Sequence, residues 1–271
     1  MATVKIGNNT GDDFSGTADA KIDQTSPDDE WGGLASMEIT KYAAASYIHT
    51  VIKFSGIDSL PDILTVSSVT LYLYLEGSEG TSYNIQAKVL NRSFTETQVT
   101  WNDYITATPW TTAGATHEPN DRSATTTFDI LDNATIEYHS FSSAGLASDV
   151  EDMADGTLSN YGWHLERTDT PVSWNKYKTF TSRNGTDGRR PYLSVTYTTG
   201  ATLEQEGFCF RNDDGSEATA TWLATQDTNI TRAKNANTRL RMLLNAAGDP
   251  PANAYRIEVR KQGVGDYKKI N

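Results

Sequence analysis

The chain is dominated by short segments in which apolar and polar residues alternate, the pattern of a half-buried β-strand. Residues 66–75 show it most clearly, because Val69 and Leu71 fall on one face of a strand while Thr70 and Tyr72 fall on the other. The same period of two predicts further strands in residues 18–22, 47–54, 83–90, 128–131, 136–141, 162–167, 177–182 and 192–197. The alternation therefore predicts an all-β fold.

Two segments depart from this alternation. In residues 144–156, Leu146, Val150 and Met153 recur at helical spacing, which predicts one short helix. Residues 105–127 are polar and rich in threonine, so we expect a long loop there.

The pattern changes after residue 198, which predicts a boundary between two domains. The strand at 192–197 closes a first domain, residues 1–198, and a second domain, residues 201–271, follows it. In the second domain the turn residues 212–216 separate two short apolar segments, which predicts a β-hairpin. The strands predicted here are residues 207–211, 218–223, 238–245 and 255–261, and in the third of them Leu240, Met242 and Leu244 are expected to point inward.

Composition narrows the classes of function. The 271 residues carry a net charge of −12. This acidity argues against nucleic-acid binding, which uses basic surfaces, and it suits cation binding. The single cysteine, Cys209, excludes an intrachain disulfide. The sequence contains no apolar run of about 18 residues, so we expect no membrane span, and the first residues lack the apolar stretch of a secretory signal.

Several segments occur in an order found in a known family. They are residues 51–57, residues 69–74, Val-Thr-Trp-Asn at 99–102, the predicted helix, Phe-Thr-Ser-Arg at 180–183, and Arg-Pro-Tyr-Leu-Ser-Val-Thr-Tyr at 190–197. Over about residues 15–198 this set resembles the DNRLRE-domain family, β-sandwich modules related to jelly-roll carbohydrate-binding modules. The resemblance implies a jelly roll, often with a structural metal, in surface and sugar-associated proteins.

The C-terminal part carries a second, shorter resemblance. Residues 255–261, followed by Tyr267, are similar to the middle strands of an immunoglobulin-like or fibronectin type III domain, as in the repeated modules of phage structural proteins. The expected fold class is therefore all-β, with a jelly-roll β-sandwich followed by a smaller immunoglobulin- or fibronectin-like domain.

Acidic residues near the first and last strands of the first domain are candidate ligands for Ca²⁺. Asp19, Asp23 and Asp28 surround the first predicted strand, and Asp187 lies in the last loop. Ca²⁺ takes about 6–8 oxygen ligands from flexible loops, and a jelly roll brings its first and last strands close together. The alternative is that these residues are ordinary solvated acids in turns.

Four aromatic residues in or beside predicted loops are candidates for stacking on sugar rings: Trp31, Trp110, Trp174 and Tyr177. The alternative for them is packing at the rim of the sandwich. Trp101 and Trp163 are instead predicted to lie in the core.

The sequence offers no clear catalytic arrangement. The four histidines are scattered, with no metal-binding His motif, and neither a Gly-x-Ser-x-Gly elbow nor a phosphate-binding glycine loop is present. Glu166 and Asp169 form a conceivable acid pair, but with 35 acidic residues such pairs arise by chance. We therefore expect a protein that is not an enzyme.

These features favour a virion structural protein, either a capsid-decoration or a fibre subunit of a bacteriophage, located at the virion surface. Its expected partners are capsid or tail proteins, further copies of itself and host surface glycans, with neither nucleic acid nor membrane. The first alternative is a carbohydrate-binding module of a secreted polysaccharide-degrading protein. The second is a subunit of a cell-surface adhesin or filament.

Overall fold

The computed structural model divides the chain into two compact units, Met1–Thr199 and Gly200–Asn271. The residues that it describes are 1–42, 46–61, 64–80, 82–169, 177–200, 202–216, 218–233, 235–247, 258–259 and 268–269.

The first unit is built almost entirely of antiparallel strands, so the prediction of an all-β fold is confirmed. Its strands are β1 (Ala2–Gly7), β2 (Thr17–Asp23), β3 (Ser36–Tyr42), β4 (Ser46–Phe54), β5 (Leu64–Ser78), β6 (Tyr83–Val89), β7 (Asp103–Ile105), β8 (Thr108–Pro109), β9 (Phe128–Asp132), β10 (Tyr138–Ser142), β11 (Trp163–Arg167), β12 (Tyr177–Thr181) and β13 (Tyr192–Thr199). A 3₁₀ turn, Ser55–Ser59, and one helix, α1 (Ala144–Ala154), complete the regular structure.

Four strands of the first unit were not predicted from the sequence: β1, β3 and the two short strands β7 and β8. Most of β1 is exposed or half-buried, and only Ile6 and Gly7 at its end are buried, because it pairs with β13 at one end of the strand order. The apolar positions of β3 are limited to Met37 and Ile39 before the pattern stops. Short or edge strands leave too few buried positions for the alternation to stand out.

The long strand β5 joins the two layers of a sandwich. Its first part pairs with β13, with Val69 opposite Val195, while β10 pairs along its other side. Its last part pairs with β12, where Leu75 lies opposite Phe180. One antiparallel sheet of eleven strands therefore curls over on itself. The first layer contains β1, β13, β5 and β10, and the second contains β12, β3, β4, β2, β11, β6 and β9.

The main core lies between these layers. Leu71 and Leu73 of β5 point into it and are fully buried, as their alternation predicts. Helix α1 covers one part of the core with Leu146, Val150 and Met153. The Oγ atom of Ser143 caps the helix by accepting from the backbone N–H of Leu146 at 2.9 Å. Among the described residues, no helix is long and apolar enough to cross a membrane.

A second hydrophobic cluster lies on the outer face of the second layer. Strand β4 is buried on both sides, since Ile52 and Phe54 enter the main core while Val51 packs outside it. Residues 91–122, here called the cap segment, fold over this outer face. The cluster consists of Ala20, Ile22, Val51, Leu90, Phe94, Val99, Trp101, Trp110 and Ala115. Part of the predicted loop therefore packs against the sheet, through Trp110 and Ala115, although the regular structure of the cap segment is limited to the small hairpin β7–β8.

The second unit contains β14 (Thr202–Asn212), β15 (Thr238–Ala247), β16 (Glu258–Val259) and β17 (Lys268–Lys269). The predicted hairpin around 212–216 is corrected, because the strand that pairs with β14 is β15. The chain does turn back after β14, but residue 211 meets residue 222 only in an isolated bridge.

The apolar residues of β15 also differ from the prediction. Leu240, Met242 and Leu244 are exposed by 41%, 37% and 53%, although their alternation predicts an inward face. Alternation identified the strand correctly, but it could not say whether another layer covers the face. The immunoglobulin-like character of this unit therefore stays a prediction.

Candidate functional site

The structure gives the four predicted calcium ligands separate partners. The carboxylate of Asp19 is buried and accepts from the backbone N–H of Arg183 at 2.7 Å. Burial raises the pKa of Asp19 to about 7, with the nearby Glu96 carboxylate adding to the shift. The other three carboxylates bond elsewhere: Asp23 to Thr25, Asp28 to Asn102, and Asp187 to Thr10.

No common site joins these four acids. Among the described residues, one group of possible metal ligands has its ligand atoms within 4.8 Å of one another. None of the four predicted calcium ligands belongs to that group. The predicted meeting of the first and last loops does occur, but through Arg183 and the backbone rather than around a cation. Calcium binding by the protein stays a prediction, and this set of four ligands is corrected.

The predicted sugar-stacking residues also do not form one surface. Trp110 is a core residue, 4% exposed, whose indole N–H donates to the carbonyl of Thr100, so its prediction is wrong. Trp31 is half-buried, and the ammonium group of Lys21 lies 4.4 Å from the centre of its ring. Tyr177 is half-buried on β12. Trp174 lies outside the described residues.

A pocket of about 410 Å³ opens beside the cap segment on the outer face of the second layer. Strands β3, β4 and β11 contribute its floor, and the cap segment contributes one wall. The lining residues are Gln24, Lys41, Tyr47, His49, Trp101, Ala113, Thr116, Glu166, Arg167 and Thr168. This mixture of aromatic surface and hydrogen-bonding groups is typical of a site for a small polar ligand.

Aromatic rings form one side of the pocket. The rings of Tyr47 and Trp101 are nearly parallel, with centres 6.5 Å apart and an angle of 17° between their planes. The ring of His49 lies 5.0 Å from that of Trp101. Lys41 places its ammonium group 5.4 Å from the centre of the Tyr47 ring. Strand alternation explains the grouping, because residues 47 and 49 of β4 share its outer face.

Gly114 allows the cap segment to approach this wall closely. A Cβ atom at this position would lie 2.6 Å from two ring carbons of Trp101, and the φ angle of +82° favours glycine. The carbonyl oxygen of Gly114 also lies 3.2 Å from Nδ1 of His49. The backbone of the cap segment thus contacts both rings at the pocket.

Asp121 anchors the far end of the cap segment. Its fully buried carboxylate accepts from the backbone N–H groups of Thr111 and Thr112, both at 2.9 Å, and from the guanidinium of Arg92. Burial alone would raise the pKa of Asp121, but these hydrogen bonds outweigh it and lower the pKa. The segment that builds the pocket wall is therefore held by a buried ionised carboxylate.

A chain of hydrogen bonds lies beneath the pocket floor. The guanidinium of Arg122 donates to Nδ1 of His164 at 3.0 Å, so His164 must carry its proton on Nε2. Nε2 of His164 lies 2.9 Å from Nδ1 of His49, which is also 3.2 Å from the carbonyl oxygen of Gly114. Nε2 of His49 points towards Glu166, whose carboxylate oxygen is 3.8 Å away. Arg122 thus determines the tautomer of His164.

Both histidines in this chain favour the neutral form. Burial lowers the pKa of His49 and lowers the pKa of His164 well below its ordinary value, and the positive charge of Arg122 acts in the same direction. Glu166 pairs with Arg122 at 2.7 Å, and Glu118 lies 3.3 Å from the same guanidinium. The floor of the pocket is therefore a hydrogen-bonded network whose charges are paired.

The same residues form the one metal-like grouping of the described chain: His49, His164 and Glu166. Two imidazoles and a carboxylate suit Zn²⁺ or Fe²⁺. However, Arg122 lies within hydrogen-bonding distance of two of the three residues, so a metal cation between them would face a guanidinium at close range. The arrangement therefore fits a hydrogen-bond relay better than a metal centre.

Sequence reasoning did not find this site because its parts lie far apart in the chain. The usable signal was polar residues at alternate positions in otherwise apolar strands, namely His49 in β4 and the pair His164 and Glu166 in β11. Their convergence depends on the pairing of β11 with β4, which the sequence does not specify. A scan against protein-family models and a search of curated proteins find no match to the chain.

Proposed function

We propose that this chain is a non-enzymatic glycan-binding module. The observation that supports the proposal is the pocket, in which the half-buried Tyr47 ring lies beside Gln24, Glu166 and Thr168. Trp101, which is 7% exposed, lies nearly parallel to the Tyr47 ring and contributes the edge of its own ring. The apolar face of a pyranose can stack on an aromatic ring while its hydroxyl groups bond to amide, carboxylate and hydroxyl groups.

The polar groups of the pocket suit binding rather than hydrolysis. Glycosidases generally use two carboxyl groups that flank the bond to be broken. Among the lining residues Glu166 is the one carboxylate, and its Oε1 atom is held by Arg122 at 2.7 Å. It is placed to accept a hydrogen bond from a sugar hydroxyl.

A glycan array with matched variants tests this proposal. The wild-type chain is expected to bind at least one neutral or acidic glycan, and Tyr47→Ala to weaken that binding by about tenfold, or about 1.4 kcal/mol. Tyr177→Ala is the control, because Tyr177 is also a half-buried tyrosine of the second layer but does not line the pocket. Absence of binding to any glycan, or loss of binding only in the control, would contradict the proposal.

The biological setting is a separate proposal, a virion surface protein such as a capsid-decoration or fibre subunit. The division into two compact units supports it, because one unit can attach to a particle while the other binds a host glycan. Mass spectrometry of purified virions is expected to find the protein in the particle. Its absence there would favour the alternative, a carbohydrate-binding module of a secreted protein.

A further inference from the structure

A fully buried lysine lies inside the main core of the first unit. Along β12, Lys178 and Phe180 point inward, and Lys178 is 0% exposed. Its ammonium group lies 2.6 Å from Oδ2 of Asp132 and 2.7 Å from the backbone carbonyl oxygen of the same residue. Fully buried lysines are rare in proteins unless they are paired.

The surroundings of this pair exclude water. Asp132 is 6% exposed and His139 is 4% exposed. The centre of the Tyr83 ring lies 4.4 Å from the Lys178 nitrogen, and the rings of Phe180 and His139 pack edge to face with centres 6.1 Å apart. An ion pair in such a place offsets its loss of hydration only with excellent geometry, so the neutral form of the pair becomes accessible.

His139 holds the carboxylate oxygen that Lys178 does not contact. Its Nδ1 atom bonds to Oδ1 of Asp132, and its Nε2 atom lies 2.7 Å from the carbonyl oxygen of Thr135. Both partners are acceptors, so both ring nitrogens carry protons and the imidazole is cationic. Burial opposes that charge, but the bonds to Asp132 and Thr135 outweigh it and raise the pKa of His139. Burial lowers the pKa of Lys178, which favours the free amine.

We propose that Lys178 and Asp132 become joined by an intramolecular amide bond. The ammonium group first passes a proton to Oδ2 within the pair. The free amine then attacks Cγ of Asp132, while the His139 imidazolium stabilises the charge that develops on Oδ1. The bond from Cγ to Oδ2 breaks, and Oδ2 leaves as water with two protons that came from the lysine nitrogen. An ammonium and a carboxylate give one amide and one water, with no oxidant or reductant.

The groups around the pair also suit the product. Oδ1 becomes the amide oxygen and keeps its bond from His139. The remaining N–H can donate to the backbone carbonyl of Asp132, which already accepts from the lysine nitrogen. Two buried charges are replaced by a neutral, hydrogen-bonded amide, and the apolar core separates it from the water needed for hydrolysis.

The chain contains a matched control pair, Lys88 and Glu118. Their nitrogen and oxygen also lie 2.6 Å apart, but the side chain of Glu118 is 32% exposed and shares its carboxylate with Arg122 rather than with a histidine. Water competes at this pair, and an arginine does not supply a proton. We expect no amide bond between these two residues.

Mass spectrometry of the denatured full chain decides the proposal. Wild type is expected to be one water lighter than its sequence mass, with a branched peptide that links residues 132 and 178 and no link between Lys88 and Glu118. Lys178→Arg keeps a cation without a nucleophilic amine and should have the full mass. His139→Gln should lower the fraction of newly synthesised chains that carry the bond at a given time.

The result that would overturn the proposal is a wild-type chain of full mass whose peptide map contains unmodified Lys178, even after prolonged incubation at neutral pH. Because this measurement uses wild type alone, it decides the matter even if the variants do not fold. A lost water that maps to another pair of residues would overturn it as well.

Discussion

Two buried clusters of the first unit each place a histidine beside charged side chains, but they give the imidazole different charges. The first, here called the core cluster, consists of Asp132, His139 and Lys178; Asp132 accepts from the other two, and the imidazole is held as a cation. The second, here called the pocket cluster, consists of Arg122, His164, His49 and Glu166. In it His164 accepts from Arg122, and the His164 imidazole is held neutral. The difference lies in the partner: a carboxylate keeps a proton on the ring, whereas a guanidinium keeps it off. The partner therefore decides the charge of a buried histidine, since the side chains of His139 and His164 are both almost fully buried.

The largest expected effect comes from removing the central carboxylate of the core cluster. Asp132→Ala leaves Lys178 buried without its counter-ion, which should lower the free energy of unfolding by about 3–5 kcal/mol relative to wild-type chains in which the amide has not formed. Glu166→Ala is the matched change in the pocket cluster and should cost less, because Arg122 still lies beside Glu118 and the Glu166 side chain is 16% exposed. Urea unfolding measures both losses, and equal losses would contradict the comparison.

The second largest effect is expected from a substitution at the pocket wall. Gly114→Ala would place a methyl group against Trp101 and should destabilise the first unit by about 1–3 kcal/mol. Gly156→Ala is the control, because its φ angle of +81° is nearly the same but nothing lies within 4 Å of the added carbon. Thermal unfolding should therefore show a larger loss of stability for Gly114→Ala than for Gly156→Ala. Equal losses of stability would show that the backbone at residue 114 is not in close contact with Trp101.

His139 and His164 are also expected to make the stability of the fold depend on pH in opposite directions. While Asp132 is a carboxylate, the pKa of His139 is raised in the folded state. The stability that this gives is fully present below the unfolded-state pKa and is lost as pH rises through the folded-state pKa. His164 has a lowered pKa, so its buried neutral ring destabilises the fold increasingly as pH falls below its ordinary value of 6.5. His139→Gln should therefore cost most at acidic pH, and His164→Gln should cost least there.

Urea titrations between acidic and neutral pH measure this difference. Each variant is compared with wild type at the same pH, because Asp19, with a pKa raised to about 7, titrates in the same window. Stability due to Asp19 falls as pH rises from about 4 to about 7 in all three proteins, so it cancels in the comparison. Parallel slopes for the two histidine variants would contradict the assigned charges.

The sequence predicted most strands of the main core, β3 excepted, because apolar residues alternate along them. Strand β5 is the clearest case, with Leu71 and Leu73 inward as expected. The sequence could not predict the packing of the cap segment, because its residues are polar and rich in threonine and its buried residues, such as Trp101 and Trp110, do not alternate regularly. The pocket depends on that packing and on the register of β11 against β4, which local pattern does not encode.

The candidate residues show the same limit. Aromatic residues in predicted loops were natural candidates for a binding surface, yet Trp110 is core and the wall of the pocket uses Trp101, which was expected to be core alone. Trp101 serves both roles because a residue at the edge of a packed layer can present one part of its ring to an adjoining cavity. Acids close in sequence, such as Asp19 and Asp23, were expected to share a cation but bond to different partners.

The most direct test of the glycan-binding pocket is a titration followed through the tryptophan indole N–H signals in the NMR spectrum. The chain has 6 tryptophans, so these signals can be assigned by single substitutions. A bound glycan is predicted to shift the signal of Trp101, which lines the pocket, and to leave that of Trp31 unchanged. A shift confined to Trp31 or Trp174, with Trp101 unaffected at saturation, would contradict the account.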